Sequence, residues 1–536
     1  MKGFSLALAS ALAAALATAT VAAATPLVVF NANLDQDHNA LFPQNKQNEP
    51  AITQNPRTGV LIAGANDEIN EPLCQTPAAP LTSPCPFGLS VSVNGYYRST
   101  DGGATWSGGI LPNVAGRVGG GDPSLDYGPR KCDNGSFNYD CGTVIYYASL
   151  GDPFPEFAGE QILSYRSYDD GLTWSTPALA TSLNRKSNFA DHEWIAVAHT
   201  PGAQHFGRAY LFWANYCNTC AGNGNVKLYV SHSDDEGRTW SPALQISAAN
   251  NNSAQGYRET GQLAVSSDGT VEAFWTENAD AKKNYPSLQV VATSKDGGAS
   301  FTAPVTIAGV TDYPLTGTPF DVVDLFNRVP GMSSRVDCYP HPASDPRPGS
   351  GAVYVVWCDF AGGHGVVKGA VSYDGVNWTN LGTIGDVSDR NAFFPAVSVA
   401  PTGLVAVSFD ALTEPPASDP WQTGTQVYDN YYVQSLDSGG SFSDPLKVSD
   451  ASSNPEGSAY NSVQEQFIGD YLGIVAGPSS ATIVWTDERN ASTCAAVSAY
   501  QQAVYAGSKT AVAPNPDTDC APSFGNSDTE VGVVTY

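Results

Sequence analysis

Charge is scarce in this chain, and positive charge scarcer still. Asp, Glu, Lys and Arg make up 14% of 536 residues, with 25 basic against 52 acidic side chains and a formal net charge of −27. That balance opposes binding to nucleic acid or to an anionic membrane by long-range attraction, and an anionic glycan would need a local basic cluster. Beyond the first residues, no stretch approaches the roughly 18 consecutive apolar residues of a membrane helix. No window shows sustained helical periodicity, which argues against helical bundles and helical repeats.

The apolar run that does exist is N-terminal. Lys2 supplies a short positive region, Phe4 to Val21 an Ala/Leu-rich core and Ala22-Ala23-Ala24 a small-residue cleavage site, the pattern of a secretory signal over residues 1–24. The mature chain is then expected to begin near Thr25, to be exported and to form one domain over 25–536. Ten cysteines, an even number in an exported chain, point to disulfides. Their spacing suggests local pairs: Cys74 with Cys85, Cys132 with Cys141, Cys217 with Cys220, Cys338 with Cys358 and Cys494 with Cys520. A redox or metal role for Cys217-Asn-Thr-Cys220 would need a second such pair or a thioredoxin-like pattern, and neither is present. Sequons at Asn134, Asn251, Asn377 and Asn490 place those residues on exposed loops.

Glycine (52), proline (37) and aromatic residues (25 Tyr, 21 Phe, 10 Trp) are plentiful, a composition of short strands and tight turns. Ser-x-Asp-x-Gly-x-Thr-Trp occurs at Ser99 to Trp106, Ser167 to Trp174 and Ser233 to Trp240. Degenerate copies run from Ser294 to Phe301, Ser372 to Trp378 and Ser435 to Phe442. Successive copies lie roughly 60 to 80 residues apart, a period suited to propeller blades with loop insertions. In each box the Asp is expected to bond the following turn, Gly to supply positive φ and the aromatic to pack on the blade, a structural role and not a catalytic one.

Between boxes, seven hairpins begin near Glu49, Asp122, Glu193, Glu259, Asp337, Phe394 and Asp470. Their second strands contain Leu61-Ile-Ala, Val144-Ile-Tyr-Tyr, Tyr210-Leu-Phe-Trp, Val271-Glu-Ala-Phe-Trp, Val353-Tyr-Val-Val-Trp, Val405-Ala-Val-Ser-Phe and Thr482-Ile-Val-Trp. The expected fold is all-β: a seven-bladed propeller of four-stranded antiparallel blades, with six blades plus an extra sheet as the alternative. Leu27-Val-Val-Phe30 is expected to close the ring against Ala499 to Tyr505. Up-and-down blades put first-strand starts and second-strand ends on one face and the boxes on the other, so the first face is the candidate site.

The boxes, blade spacing and signal peptide resemble those of the sialidase (neuraminidase) superfamily of secreted glycan-active propellers, over residues 45 to 507. The resemblance implies three arginines clamping a carboxylate, a Glu-activated Tyr nucleophile and an Asp acid/base. This chain departs from it at Asn48-Glu49-Pro50, where the family has Arg-Ile-Pro, so sialic acid itself is disfavoured. Arg258, Arg390 and Arg489 fall at near-face positions where an anion clamp could be rebuilt, or each pairs with an adjacent acid, Glu259, Asp389 or Glu488.

Acids are the larger signal: Glu49, Asp67, Glu68, Asp122, Asp191, Glu193, Glu259, Glu277, Asp359, Asp410, Asp470 and Asp487 could all approach one funnel on that face. Glycoside hydrolysis needs one protonated and one ionised carboxyl. Glu259 is the first candidate, followed by Asp122 and Asp470, with Tyr471 as nucleophile or proton carrier and Glu49 as a substrate contact. The same acids could instead bond backbone at strand ends or hold a structural Ca²⁺, no cofactor being required by the chemistry. Asp191-His192-Glu193-Trp194 is the inner strand that opens with a histidine. His192 as base, with Arg258 and a tyrosine, would make a uronate-specific polysaccharide lyase. A third reading is a non-catalytic glycan- or protein-binding propeller stacking sugars on Tyr96-Tyr97 and Tyr431-Tyr432. In every reading the partner is a glycan, polysaccharide or protein, and the chain is a monomer.

Overall fold

Apolar residues in the second strand of each hairpin are buried on both faces, which is only possible if sheets pack against sheets on either side. A computed structural model describes residues 25–34, 39–77, 79–88, 90–153, 159–181, 188–217, 225–247, 258–277, 286–313, 327–415 and 426–536. It contains seven antiparallel blades in which neighbouring strands pair from the inside outwards, six of them four-stranded, while in the second the innermost position is split between Arg117–Gly119 and Ser124–Lys131, both paired with Phe137–Pro153. The second strands Leu61–Asp67, Phe137–Pro153, Ala209–Cys217, Val271–Glu277, Val353–Asp359, Val405–Leu412 and Ser480–Asp487 carry the seven apolar runs. Trp213, Trp275, Trp357 and Trp485 are fully buried near their ends. Hydrophobic clusters join neighbouring blades, for example Phe212, Leu228 and Trp275 between blades 3 and 4, and such packing turns separate sheets into a ring.

The six boxes form the expected turns. In the first, the Ser99 hydroxyl donates to Asp101 at 2.8 Å, and Asp101 accepts from the Thr105 N–H at 3.0 Å and its hydroxyl at 2.6 Å. Ser167–Asp169–Thr173, Ser233–Asp235–Thr239, Ser294–Asp296–Ser300 and Ser435–Asp437–Ser441 repeat the pattern. In the shortened box, Asp374 accepts from Asn377. These bonds to the ionised form, those from Thr105 first, pull the Asp101 carboxyl down to about 2.

Ring closure differs from expectation in one partner. Leu27–Asn33 does supply the outermost strand of blade 7, but it pairs with Asp528–Thr535, which also pairs with Ser480–Asp487. Ala499 to Tyr505 lies instead in a helix, Ala495–Tyr505, burying Val497, Tyr500 and Val504. Those three share one helical face, a pattern too short to stand out as periodicity. The fifth hairpin begins at His341, four residues after Asp337, and Asn327–Arg328 pairs with Arg335–Val336 in the link before it.

Cys74–Cys85, Cys132–Cys141, Cys338–Cys358 and Cys494–Cys520 are disulfides. The Cys217–Cys220 pairing and Asn251 lie outside the described residues. Asn134, Asn377 and Asn490 are exposed. Two of the disulfides, with the helix, build a cluster of Phe42, Cys74, Cys85, Val463, Cys494, Val497 and Phe524. No described helix is long and apolar enough to cross a membrane.

Candidate active site on the axial face

The innermost strands share one local irregularity where the site forms. Glu49, Asp122, His192 and Phe394, at equivalent points of blades 1, 2, 3 and 6, all have positive φ, between 47° and 55°. In blades 1, 3 and 6 the strand register shifts there, the mark of a bulge that re-aims a side chain. Left-handed backbone at a non-glycine residue costs on the order of 1–3 kcal/mol and persists only where surrounding structure holds it. Close approach is also enforced by Gly469, φ 83°, where a Cβ would lie 2.7 Å from Glu49 Cγ and 3.0 Å from its backbone nitrogen.

Strand starts from blades 1, 2, 3 and 7 thereby converge. Asn66 Nδ2 donates to Glu49 Oε2 at 2.7 Å, while Asn66 Oδ1 accepts from the Asp122 N–H at 2.7 Å. Glu49 and Asp122 hydrogen-bond to each other, so they share a proton. A carboxylate oxygen of Asp122, one of Asp191 and a ring nitrogen of His192 lie within 4.8 Å of one another. Asp122, His192, Glu193, Tyr339 and Tyr471 line the pocket at this point. Its described walls enclose about 10 Å³, room for one water.

Electrostatics sort these acids. Burial first, then the neighbouring Glu49, Asp191 and Glu193, raises the Asp122 carboxyl well above its ordinary range. Burial also raises Glu193, reinforced by Asp191 and Glu49. Glu193 is 3% exposed, and apart from its own backbone N–H no described group bonds either carboxyl oxygen. Burial and Asp470 raise Glu49. Tyr471 and Tyr339 are pushed up by burial and by the same acids, so both phenols rest protonated.

The cation of the cluster is Arg335, which no sequence motif marked. It donates two bonds to Asp470, one of 2.7 Å from Nε, and lies 5.4 Å and 5.2 Å from the Tyr460 and Phe467 ring centres. Burial opposes its charge, but Asp470 and Glu49 hold it protonated. Arg335 sits in the irregular link between blades 4 and 5, where repeat spacing gives no register.

Of the arginines chosen from sequence, Arg390 and Arg489 have their partners elsewhere. Arg489 is bound by Asp487 at 2.9 Å, Asp450, and Glu530 at 3.3 Å on the blade 7 rim. Arg390 bonds the Tyr431 side chain in blade 6. Arg258 and Glu259 begin the Arg258–Val265 strand, but their side chains lie outside the described residues. At second-strand ends the acids serve structure: Glu277 and Asp487 accept from the indoles of Trp275 (3.4 Å) and Trp485 (3.1 Å), Asp67 accepts from Tyr97 at 2.7 Å, Asp410 from Asn430 at 2.9 Å, and Asp359 pairs with Lys368 at 2.9 Å. Tyr97, Tyr431 and Tyr432 are buried and offer no platform for sugar, while Tyr96 is half-buried with its ring edge-on to Trp174.

A Ca²⁺ at the axis would prefer six to eight oxygen ligands. The one described trio with converging ligand atoms, Asp122, Asp191 and His192, includes a ring nitrogen and fits that preference poorly. A larger cavity of about 330 Å³ opens at the opposite end of the axis, among Gln54, Tyr127, Val197, His199, Pro342 and Pro478. It carries none of the paired carboxyls.

No protein-family model matches the sequence, and no curated protein matches it. Solved structures similar to the chain include an α-L-arabinanase of Penicillium chrysogenum, 14% identical over 72% of this chain and 94% of that one, TM-score 0.42. Others are a leech intramolecular trans-sialidase, 12% identical over 76% and 70%, TM-score 0.41, and a polysaccharide lyase described as an ulvan lyase, 11% identical over 64% and 74%, TM-score 0.38. No residue role is carried over from them. By its own sheet topology the chain is a seven-bladed β-propeller, and the solved structures it is similar to include a sialidase-class enzyme, an arabinanase and a polysaccharide lyase.

Proposed function

We propose that this chain is an exported, carbohydrate-active propeller that hydrolyses glycosidic bonds at the axial face. One observation carries the reading: a half-buried carboxyl that keeps its proton, Asp122, lines the pocket and lies within 4.8 Å of a second carboxyl, Asp191. Asp122 protonates the departing glycosidic oxygen, and Asp191 faces the developing positive charge at the anomeric carbon. Glu49 and Glu193 keep Asp122 protonated, and Arg335 holds Asp470 in place. A spacing below about 5 Å is too short for the roughly 6.5–9.5 Å that accommodates an attacking water between carboxyls, so the reaction retains anomeric configuration.

The test is incubation with sialosides, neutral plant and fungal polysaccharides and uronate-containing gums, with products read by mass spectrometry and nuclear magnetic resonance. A product heavier by one water and of retained configuration is expected. Inversion would remove Asp191 from the role given to it, and no product from any substrate with a folded protein would contradict hydrolysis altogether.

A second reading rests on His192, whose Nε2 lies 3.9 Å from Asp191 Oδ2 and whose ring is 6.1 Å from that of Tyr339. As the base of a uronate lyase it would give an unsaturated product lacking the added water.

A further inference from the structure

Beside the axial site, three buried side chains from distant parts of the chain form an arrangement that the proposed hydrolysis does not use. Lys46 is 1% exposed, Glu68 3% and Asn461 2%. The Lys46 ammonium nitrogen contacts the side-chain carbonyl oxygen of Asn461, and lies 2.6 Å from Glu68 Oε1. The other Glu68 oxygen, Oε2, accepts from Asn461 Nδ2 at 2.9 Å. Aromatic rings of Phe42, Phe87 and Phe467 surround the amine, with centres 5.7, 5.9 and 6.0 Å away.

A buried salt bridge with a hydrogen-bonded amide would need only that the charges be satisfied. Here the carboxyl also spans the two nitrogens that an acyl transfer would exchange, one oxygen on the amine and one on the amide nitrogen. We propose that Lys46 and Asn461 form an intramolecular isopeptide bond, with Glu68 as the proton carrier.

The step balances without a co-reactant. Lys46 gives a proton to Glu68 and attacks Asn461 Cγ as the neutral amine. A Nζ–Cγ bond forms, the Cγ–Nδ2 bond breaks, and the protons reaching Nδ2 through Glu68 let it leave as ammonia. The carboxyl is suited to that carriage, because burial raises its affinity for a proton, with Lys46 and Asn461 opposing. An amide is ordinarily inert to an amine in water. Fixed, desolvated juxtaposition supplies effective concentrations of roughly 10⁵–10⁸ M. The bond would join the start of blade 1 to the segment entering blade 7, residues separated by 415 positions, and would tie the ring closed beside Arg335 and Asp470. The assignment is independent of any glycan chemistry.

The test is peptide mapping by mass spectrometry of the purified full-length protein after disulfide reduction. A single branched peptide containing both Lys46 and Asn461, lighter by one ammonia, is expected in essentially all molecules. Separate, unmodified Lys46 and Asn461 peptides would overturn the proposal, as would Asn461 found merely deamidated. Glu68→Gln is expected to abolish the branched peptide, and its persistence would overturn the role given to Glu68. The wild-type map decides whether the bond exists even where that variant fails to fold.

Discussion

Asp122→Asn is expected to reduce kcat by roughly 10²–10⁴-fold, the usual contribution of a positioned general acid, while leaving the thermal unfolding profile nearly unchanged. Both halves follow from the same environment. Burial and three neighbouring acids keep Asp122 protonated, so a neutral amide resembles the form already present and adds no charge to the cluster. The Asp122 backbone N–H still donates to Asn66 at 2.7 Å, so the strand start stays in place. What is lost is the transferable proton. In the wild type the rate is expected to fall as pH rises through the raised Asp122 value, and that limb should vanish from the residual activity of the variant. Steady-state kinetics across pH, with unfolding followed by circular dichroism, check both; an undiminished kcat would exclude Asp122 as the acid.

The second large effect concerns stability. Glu272 is 1% exposed in the second strand of blade 4, and one of its oxygens, Oε2, has no hydrogen-bond partner. Burial first, then Asp268 and Asp374, moves its carboxyl from an ordinary 4.5 up to about 8, with Lys295 opposing. Between those two values the folded chain keeps a proton that the unfolded chain has released, so stability falls as pH rises. Below about 4.5 both states are protonated and nothing is lost; above about 8 the loss is complete, roughly 5 kcal/mol for this one group. Glu272→Gln removes the titration. Denaturant unfolding at pH 5 and pH 9 is expected to show the variant gaining roughly 4 kcal/mol on wild type between the two, and an unchanged difference would show that Glu272 does not titrate in this range.

Features that recur along the chain could be read before the fold was known, and features made by distant convergence could not. The boxes were legible because their hydrogen bonds close within four residues, as from Asp101 to Thr105. Second strands were legible because both faces are buried, which leaves runs such as Val353–Asp359 almost wholly apolar. Four local disulfides follow from short spacing. Arg335, Lys46 and Asn461 were invisible because they lie in links without a repeat, and their partners are far away in sequence. Arg489 follows the alternative of local pairing, with Asp487 two residues away in place of Glu488, and is satisfied before it can reach an axis. Asp122, Asp191, His192 and Glu193 were visible as strand-start residues, but only the bulged backbone shows that they meet.

The central claim is that sugar chemistry takes place at the axial face beside Asp122 and not in the roomier cavity at the other end of the ring. A crystal structure of Asp122→Asn soaked with an oligosaccharide cleaved by the wild type tests this directly. The account predicts the glycosidic oxygen of the bound sugar within hydrogen-bonding distance of the residue 122 side chain, next to Asp191. Sugar seated instead among Gln54, Tyr127 and His199, with nothing beside residue 122, would contradict it.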